Sequence, residues 1–556
     1  MPADRLGDVS ALKSELMSDA IHLTIDDVVY EIPDSVSGSG ISLLAAIREV
    51  LGLRGPKGGC NPQGQCGCCT VLVDGSPRVA CVTPLRRVTG RSITTIDGLG
   101  ALADQWADAF TATGASQCGF CTPGIICRLE GARNKKVAAD NRAAIDAALS
   151  AHLCRCTGWQ TIREAYAVMV NGEVETAVAL RVNERDEEKI ARRATIEGHA
   201  TQRISRQTAL GKAGFAEDTV PPNALVAVPA YNGENNEWAF GSTLFAARAA
   251  AGKVQGRNSS IDPKPPLPLP DGDFILTLRT SWTEPAYLET DASWCEPNGE
   301  PFTALANGGA FGGKEQTFVS ELAAQLANEK NAPVRVALSR EDVVRLGPKR
   351  PPFSAGVRQD GSIVMNVVTT DGFVDIVHSV FDSATVTVNE VDVIGPSTSS
   401  SLRGVGWIEA TILRAAWQAM MNNTPTRIEV VAPNGAKAVA EWHNETDTIS
   451  IDVHCGEILD DIVLRSYVIG AAHMGLSWVC TEGIAVADDG EIVDLTIRSF
   501  GVLRPSEMPN IDVRLHDSES EPINGSDAVM AAVAALAWSV QGWPNDWPTG
   551  RLLRKE

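Results

Sequence analysis

The sequence predicts a multidomain α+β protein, and three observations support this prediction. The length of 556 residues suits three or four domains, each able to bury its own core. Residues 21–100 have the alternating pattern of strands and hairpins, whereas residues 101–170 are Ala-rich with helical spacing. Beyond residue 208, strand and helix patterns are mixed again. We therefore expect several structural units in series along the chain.

Composition and charge exclude two classes of partner. The formal net charge of −21 argues against nucleic acid, since an acidic surface repels phosphates. No apolar run approaches the ~20 residues of a membrane span. The longest apolar run, Ala528–Trp538, predicts a buried helix instead. The polar N-terminus lacks the apolar core of a secretory signal, so we expect a cytoplasmic protein without a membrane span.

The first structured stretch predicts two hairpins on either side of a helix. Residues 21–32 alternate around Asp26–Asp27, as in a hairpin. Ile41–Leu51 has helical spacing, with Ser39 or Ser42 as the cap. Residues 70–81 predict a second hairpin that turns at Asp74–Gly75.

Four cysteines accompany these elements in the order of a plant-type ferredoxin. Cys60, Cys66 and Cys69 lie in a glycine-rich loop, and Cys81 follows the second hairpin. The ferredoxin pattern is C-x4-C-x2-C with a distant fourth cysteine, whereas the first interval here has five residues. Cys68 could compete with Cys69, which we favour because both of its intervals then match. The order of elements predicts a β-grasp domain that holds a [2Fe–2S] cluster.

A second set of four cysteines occurs in the helical stretch. Cys118 and Cys121 form a C-x2-C pair, and Cys154 and Cys156 form a C-x-C pair, each at a predicted helix N-terminus. Free N–H groups and the helix dipole stabilise thiolates there. Four thiolates suit a [2Fe–2S] cluster or a structural zinc ion, and the neighbouring ferredoxin-like set favours the cluster. We expect the remaining cysteines to be core residues: Cys68, Cys127, Cys295, Cys455 and Cys480.

The motifs QCGFCTPG and CRCTG resemble those of the xanthine oxidase / aldehyde oxidoreductase family of molybdenum hydroxylases. The resemblance covers about the first 170 residues. It implies a β-grasp domain followed by a four-helix bundle, two [2Fe–2S] clusters, and Gln117 facing a pterin cofactor. The charged stretch 182–207 predicts a solvated linker with no room for a flavin segment. In this respect the chain resembles the flavin-free members of the family, which implies no FAD and an external electron acceptor.

The sequence GGAFGGKE at residues 308–315 contains four glycines in eight positions, which suits a loop whose backbone closely approaches an anionic ligand. By resemblance it is the family's loop for a molybdopterin-type molybdenum cofactor, the cytosine dinucleotide form being one option. The cofactor-binding residues implied by the match are Gly309, Ala310, Phe311, Gly312, Gly313 and Glu315.

Two residues further along are implied as catalytic. Arg403, in SLRGVGWIE, resembles the family's F-R-G-x-G arginine, although a surface arginine beside a glycine turn has the same pattern. Glu521 precedes an Ala-rich helix that we expect Ser526 to cap, where the family places its general base; Glu519 is the second choice. Met474 replaces a glutamine that is usual in the family.

The resemblance implies hydroxylation of an aldehyde or N-heterocycle, with water as the oxygen source. The molybdenum region is shorter than in relatives, so we expect either a homodimer or a partner chain that completes the site. The alternatives are a two-cluster electron-transfer protein with a vestigial molybdenum region, and a zinc-binding scaffold. The predicted divisions are a tail 1–20, a ferredoxin-like domain 21–100, a helical [2Fe–2S] domain 101–181, a linker 182–207, and a molybdopterin-binding region 208–556.

Overall fold

The computed structural model describes residues 21–32, 40–60, 62–181, 185–231, 237–252 and 262–553. The predicted N-terminal tail and Ser39 lie outside these residues. The described residues form mixed α and β units, in agreement with the predicted α+β class.

The described strands form four sheets. Their bounds are β1 Ile21–Ile25, β2 Val28–Ile32, β3 Thr70–Val73, β4 Ser76–Val79, β5 Ser92–Thr94, β6 Leu225–Pro229, β7 Trp238–Gly241, β8 Leu276–Thr280, β9 Ala292–Cys295, β10 Val334–Ala337, β11 Phe353–Val357, β12 Ile363–Val368, β13 Val386–Val391, β14 Arg427–Val431, β15 Lys437–His443, β16 Thr448–His454, β17 Asn510–His516 and β18 Asp546–Trp547.

The helices vary from one turn to more than five turns. Their bounds are α1 Leu43–Ala45, α2 Ala101–Thr113, α3 Thr122–Asn134, α4 Arg142–Leu149, α5 Gln160–Val170, α6 Val174–Arg181, α7 Glu187–Gly198, α8 Arg206–Ala209, α9 Ala216–Thr219, α10 Leu244–Ala251, α11 Val319–Lys330, α12 Arg340–Leu346, α13 Phe373–Val380, α14 Trp407–Met421, α15 Asp461–Cys480, α16 Ile497–Phe500 and α17 Ser526–Val540.

The first unit is a five-stranded sheet in the order β2-β1-β5-β3-β4, with α1 and the π-helical turn Ala46–Val50 on it. Both predicted hairpins are present, because Asp26, Asp27, Asp74 and Gly75 adopt the positive φ angles that two-residue hairpin turns require. Ser42 caps α1 by accepting a hydrogen bond from the N–H of Ala45. The sheet and α1 share an apolar core that also contains Cys69 and Cys81.

The second unit is built from helices α2 to α5, packed around buried aromatic side chains. The rings of Trp106 and Tyr166 stack with centroids 6.3 Å apart, so α2 packs against α5. The indole N–H of Trp106 donates to Glu130 at 3.0 Å, which ties α2 to α3. Helix α3 also packs on β3, so this unit is joined directly to the first sheet.

Three further sheets and two long helices form the C-terminal part. The sheet orders are β7-β6-β10-β9, β13-β12-β11-β8-β18 and β14-β15-β16-β17. Helices α15 and α17 pack against each other at the centre. Among the described residues α15, and not Ala528–Trp538, is the helix with the length and hydropathy of a membrane span. Because 89% of that apolar window is buried inside the protein, α15 behaves as a core helix.

The predicted linker is a packed element in its described part, which corrects the expectation of a solvated stretch. Helix α7 buries Arg193 completely, and its guanidinium pairs with Glu197 at 2.8 Å. Glu197 also accepts a hydrogen bond from the N–H of Ser526 at 2.8 Å. The N-terminus of α17 is therefore capped by Glu197 and not by Ser526, whose hydroxyl makes no capping bond.

We expect Glu197→Ala to lower the free energy of unfolding by about 3–5 kcal/mol, because it leaves the guanidinium of Arg193 buried without its partner and uncaps α17. Glu188→Ala is the matched control on the exposed face of the same helix, with a loss below about 1 kcal/mol. Urea unfolding followed by tryptophan fluorescence measures both variants. Equal small losses in the two variants would contradict the capping role of Glu197.

Candidate metal centres and the adjoining pocket

The first cysteine set converges at the end of the glycine-rich loop. The thiol of Cys60 contacts those of Cys66 and Cys81, and Cys81 also contacts Cys69. Hydrogen bonding from Cys66 and Cys81 lowers the pKa of Cys60 well below its usual range. Backbone N–H groups of Gln65 and Cys66 donate to the Cys60 sulfur at 3.2 and 3.3 Å. Such N–H···S bonds stabilise the thiolates that an iron–sulfur cluster needs.

Cys68 and Cys69 face different directions. The Cys69 sulfur accepts from the N–H of Cys81 at 3.4 Å and belongs to the core of the first unit. Cys68 belongs to the larger core, which it shares with the helical unit. The hydrogen bond with Cys66 lowers the pKa of Cys68, but burial and the neighbouring thiolates together raise it above its usual value. The Cys68 thiol thus contacts that of Cys66, and the choice of Cys69 as the third ligand stays a prediction.

The second cysteine set consists of two contacting pairs. The sulfurs of Cys118 and Cys156 are 3.7 Å apart, and Cys121 contacts Cys154. Two thiolates on one tetrahedral metal with bonds of about 2.3 Å lie about 3.8 Å apart, so each pair suits one metal atom. The hydrogen bond from Cys121 lowers the pKa of Cys154 to about 7, although burial raises it. The hydroxyl of Thr157 lies 3.1 Å from the Cys154 sulfur and adds to this stabilisation.

The pairing favours a two-iron cluster over a single ion. Among the residues that the structure describes, no three His, Cys, Asp or Glu side chains converge on one ion. In a [2Fe–2S] cluster each iron takes two protein sulfurs, which is the arrangement of the two contacting pairs. The second set therefore fits a [2Fe–2S] cluster by its pairing, and the first set offers thiol donors of the same kind.

A short backbone contact joins the two sets. The N–H of Leu153 donates to the carbonyl of Cys66 at 3.0 Å, and Leu153 directly precedes Cys154. Next to it, the Nε2 atom of His152 lies 3.1 Å from the hydroxyl of Thr70. Burial lowers the pKa of His152 to about 3, so this ring is neutral. A Cβ on Gly67 would collide with the His152 ring, so this close approach requires glycine.

The glycine-rich loop 308–313 lies directly on the second set. A Cβ on Gly309 would stand 2.8 Å from the Cβ of Cys118 and 3.7 Å from the Cys156 sulfur. The side chain of Asn307 donates to the carbonyl of Cys118 at 3.2 Å. Gly308, Gly309, Phe311 and Gly312 all have positive φ angles, which explains the glycine content. The backbone of Gly309 thus approaches the second cysteine set closely, and the approach of the loop to an anionic ligand stays a prediction.

Helix α15 closes the other side of the second set. A Cβ on Gly470 would collide with the carbonyl of Cys156. Gln117 is buried between them and donates to the Cys156 carbonyl at 2.9 Å and to the hydroxyl of Ser466 at 3.0 Å. The amide of Gln117 therefore links the second set to α15, and its contact with a pterin stays a prediction.

Two small cavities adjoin the loop. The loop cavity, of about 10 Å³, is lined by Cys118, Cys156, Gly309, Ala310 and Lys314 among others. The inner cavity, of about 30 Å³, is lined by Phe311, Arg350, Arg403, Met474 and Glu482 among others. Arg155 borders both cavities. Arg403 is thus buried in the pocket, as the resemblance implied, and not on the surface.

The basic groups around the inner cavity are neutralised by buried carboxylates. Arg403 pairs with Asp527 at 2.6 Å, Arg350 pairs with Glu409 at 2.7 Å, and Arg155 pairs with Glu482. Burial raises the pKa of Asp527, but Arg403 and His199 together lower it below its usual range. Arg403 further donates to Ser526 at 2.6 Å and reaches the Met474 sulfur at 3.3 Å. These pairs leave the pocket with little free positive charge.

The described form of this pocket does not fit a pterin. A cavity of about 30 Å³ holds one or two water molecules, whereas ligand pockets run to about 300–1,000 Å³. One donor is spare, since Nη2 of Arg350 has no hydrogen-bond partner among the described residues. That single donor cannot hold a phosphate-bearing cofactor in a closed cavity.

Three predicted acidic residues lie outside the pocket. The side chain of Glu521 is 86% exposed and pairs with Arg192 at 3.0 Å, and it does not line either cavity. The prediction that Glu521 is the general base is therefore wrong for this structure, because a solvated carboxylate outside the cavity cannot reach a reacting group. Glu519 is exposed as well, and Glu315 is exposed at the end of the glycine loop.

Sequence reasoning missed the buried acids that pair with the pocket arginines. Asp527 and Glu482 are separated from Arg403 and Arg155 by more than a hundred residues, so no local motif reports the pairing. Arg155 itself gave a signal, since it stands between Cys154 and Cys156. Because Arg155 lies between two predicted cluster ligands, its position indicated that its side chain could enter the site next to the cluster.

Comparisons with known proteins agree with the cysteine sites. A family model described as a [2Fe–2S] binding domain matches residues 95–167. The chain is 39% identical to the alpha subunit of isoquinoline 1-oxidoreductase from Brevundimonas diminuta over 138 residues, which are 25% of this chain and 86% of that protein. It is 39% identical to an aldehyde oxidoreductase of Megalodesulfovibrio gigas over 135 residues, 23% of this chain and 15% of that protein. The sequence match therefore spans only a small part of that longer relative.

The fold of nearly the whole chain has a solved counterpart. The structure of an aldehyde oxidoreductase from Desulfovibrio gigas matches with a TM-score of 0.66 at 13% identity, over 93% of this chain and 97% of that one. The enzyme from Desulfovibrio desulfuricans matches with the same TM-score at 14% identity. At this identity the match shows the fold and not the chemistry of the C-terminal part.

Cys69→Ser and Cys68→Ser form a matched pair that tests the first set. We expect Cys69→Ser to lose the first cluster, because its thiol contacts Cys81, and Cys68→Ser to retain it. Iron analysis and electron paramagnetic resonance of the reduced proteins measure the difference. The reverse result would make Cys68 the ligand.

Proposed function

The chain belongs to the molybdenum hydroxylase family of oxidoreductases, and we propose that it oxidises a small molecule and passes the electrons through two [2Fe–2S] clusters to an external acceptor. The carrying observation is the direct packing of the glycine loop, at Gly309, on Cys118 and Cys156 of the second set. This contact joins the C-terminal pocket to the start of an electron path. When bound, the clusters supply one-electron carriers.

The protein residues between the two sets suit such a path. Leu153 connects Cys154 to the carbonyl of Cys66 through one hydrogen bond of 3.0 Å. His152 and Thr70 fill the space beside it, and both are buried. We assign residues 21–100 to the plant-type ferredoxin domain and residues 101–181 to the helical cluster domain on this basis. The electrons would run from the second set to the first.

A reducing compartment suits these thiols. All thirteen cysteines are free in the structure, and none forms a disulfide. Clustered free thiols persist in the cytoplasm, where metal ligation is their better use. We therefore propose a cytoplasmic location for the protein.

The substrate class follows from the named relatives. Three of them are subunits of isoquinoline 1-oxidoreductase, nicotinate dehydrogenase and nicotine 6-hydroxylase, and each enzyme is named for an N-heterocycle. The aldehyde oxidoreductases make an aldehyde the second option. Because the three heterocycle relatives are subunits of larger enzymes, they support a partner chain that completes the molybdenum site of this protein.

A second function is favoured by the closed pocket. Cavities of about 10 and 30 Å³ and the paired arginines suit a protein that carries two clusters without a bound pterin. Such a protein would transfer electrons for a separate catalytic partner. In both functions the cysteine sets and the contact between them have the same role.

Metal analysis of the purified protein separates the functions. We expect about four iron atoms per chain, two for each cluster, and two distinct resonance signals after reduction. About one molybdenum atom per chain supports the hydroxylase, whereas iron without molybdenum supports the electron-transfer protein. Zinc in place of iron, or a single signal, would contradict the assignment of the cysteine sets.

The Glu521→Gln variant tests whether Glu521 lies outside the active site. Because its side chain is solvated and paired with Arg192, we expect turnover with an N-heterocycle or aldehyde to change by less than about twofold. Arg192→Gln is the matched control on the other side of the pair and should behave alike. Loss of a general base costs about 10²–10⁴-fold, so a loss of that size in Glu521→Gln alone would place the carboxylate in the active site.

A further inference from the structure

A third cavity, which we call the outer cavity, is larger than the loop cavity and the inner cavity. The outer cavity, of about 200 Å³, has apolar walls that include Val344, Ile484 and Phe500. Ser499 is exposed at its mouth, while Glu284 and Arg340 are buried at its floor. Glu284 also borders the inner cavity, so the two spaces share a wall. An opening and a lining that combines apolar side chains with polar groups are the features of a small-ligand site.

Arg340 at the floor has donors to spare. It is 2% exposed, and Nη2 contacts Glu284 in a buried ion pair. The Nε and Nη1 atoms have no hydrogen-bond partner among the described residues. Buried N–H groups without a partner are costly, so a ligand acceptor or ordered water belongs there. A guanidinium presents these donors as a rigid fork that suits a carbonyl or carboxylate oxygen.

The cavity adjoins the loop that holds the first cysteine set. The side chain of Gln63 donates to the carbonyl of Leu495 at 3.1 Å and accepts from the N–H of Ile497 at 3.1 Å. Gln65 likewise accepts from the N–H of Arg498 at 2.9 Å. These bonds fix the cavity wall 494–500 to the loop between Cys60 and Cys66. Arg340 is also near enough to both cysteines for electrostatic attraction to their thiolates.

The charges around the cavity select against an anionic ligand. One guanidinium, Arg340, faces three carboxylates, those of Glu284, Asp262 and Asp494. Asp494 already accepts hydrogen bonds from Thr496. An added carboxylate would meet this net negative surface, whereas a neutral carbonyl avoids the repulsion and still satisfies the donors of Arg340.

The cysteines of the first set are themselves buried, so an acceptor cannot touch them from solvent. A redox molecule in the outer cavity would lie against the wall 494–500, which is hydrogen-bonded to their loop. We propose that the outer cavity binds the electron acceptor and that this acceptor is a small uncharged quinone. This inference rests on the proposed function, because the reduced clusters supply the electrons.

The quinone takes up both electrons and is reduced to the hydroquinone. Each of its two carbonyl groups becomes a hydroxyl group, with two electrons from the reduced protein, one at a time, and two protons from water. Arg340 donates hydrogen bonds to one carbonyl oxygen and stabilises the negative charge that develops on it. A single-ring quinone matches the volume of about 200 Å³.

Calorimetric titration of the oxidised, iron-loaded protein with duroquinone tests the binding. Its ring carbons are fully methylated, so it does not add to thiols. We expect saturable binding of one molecule per chain, and no binding of benzoate, which carries the excluded charge. Stopped-flow reoxidation of the reduced protein should then show a rate that saturates with duroquinone.

Variants at the mouth and the floor localise the site. Ser499→Trp blocks the mouth from an exposed position and should weaken binding about tenfold or more, whereas Ser518→Trp on a distant exposed loop should leave it unchanged. Arg340→Lys keeps the charge but loses the fork, and it should weaken binding by about tenfold. Ser499→Trp keeps the test valid if Arg340→Lys does not fold.

The outcomes separate this inference from the proposed function. Clusters that form normally, with duroquinone binding that is absent or unaffected by Ser499→Trp, would overturn the acceptor site alone. Binding of benzoate as tight as that of duroquinone would overturn the assignment of an uncharged ligand. A protein without iron and without the resonance signals would overturn the proposed function itself.

Discussion

The arrangement of the whole chain depends on backbone packing around the second cysteine set. Gly309 from the glycine loop and Gly470 from α15 meet Cys118 and Cys156 so closely that neither position has room for a Cβ. Gln117 adds hydrogen bonds between the same cysteine segment and α15. The helical unit is therefore enclosed by the C-terminal part and not tethered beside it. A metal centre there is shielded from water on both sides, which strengthens the N–H···S and O–H···S bonds that stabilise its thiolates.

Local patterns predicted the cysteine sets and the first hairpins well, because spacing alone determines them. Ligand intervals and a two-residue turn at Asp74–Gly75 involve neighbours in sequence. The linker was predicted wrongly for the opposite reason. Its charges resemble a solvated face, but Arg193 and Glu197 satisfy each other, and Glu197 caps a helix that begins 329 residues later. No pattern within the stretch itself contains that information.

Some of the predicted site residues line the pocket and others do not, and the wrong predictions have a common cause. The glycine loop and Arg403 do line the buried pocket, since both depend on backbone shape and a rare buried charge. Glu521 was predicted as catalytic from its sequence distance to a helix. A few loop residues are enough to move a side chain from the interior to solvent, so that distance does not determine burial. The acids that do enter the pocket, Asp527 and Glu482, neutralise arginines from distant segments. Tertiary pairing of this kind is invisible to motif spacing.

The cavities place different chemistry at the two ends of the cysteine path. The loop and inner cavities adjoin the second set, share Arg155, and hold no more than a few water molecules. The outer cavity adjoins the first set and is several times larger. Glu284, paired with Arg340, forms the wall between inner and outer spaces. Breaking a buried ion pair costs free energy, because it leaves an uncompensated charge in the interior. The Glu284–Arg340 pair therefore separates the inner cavity from the outer cavity in this structure.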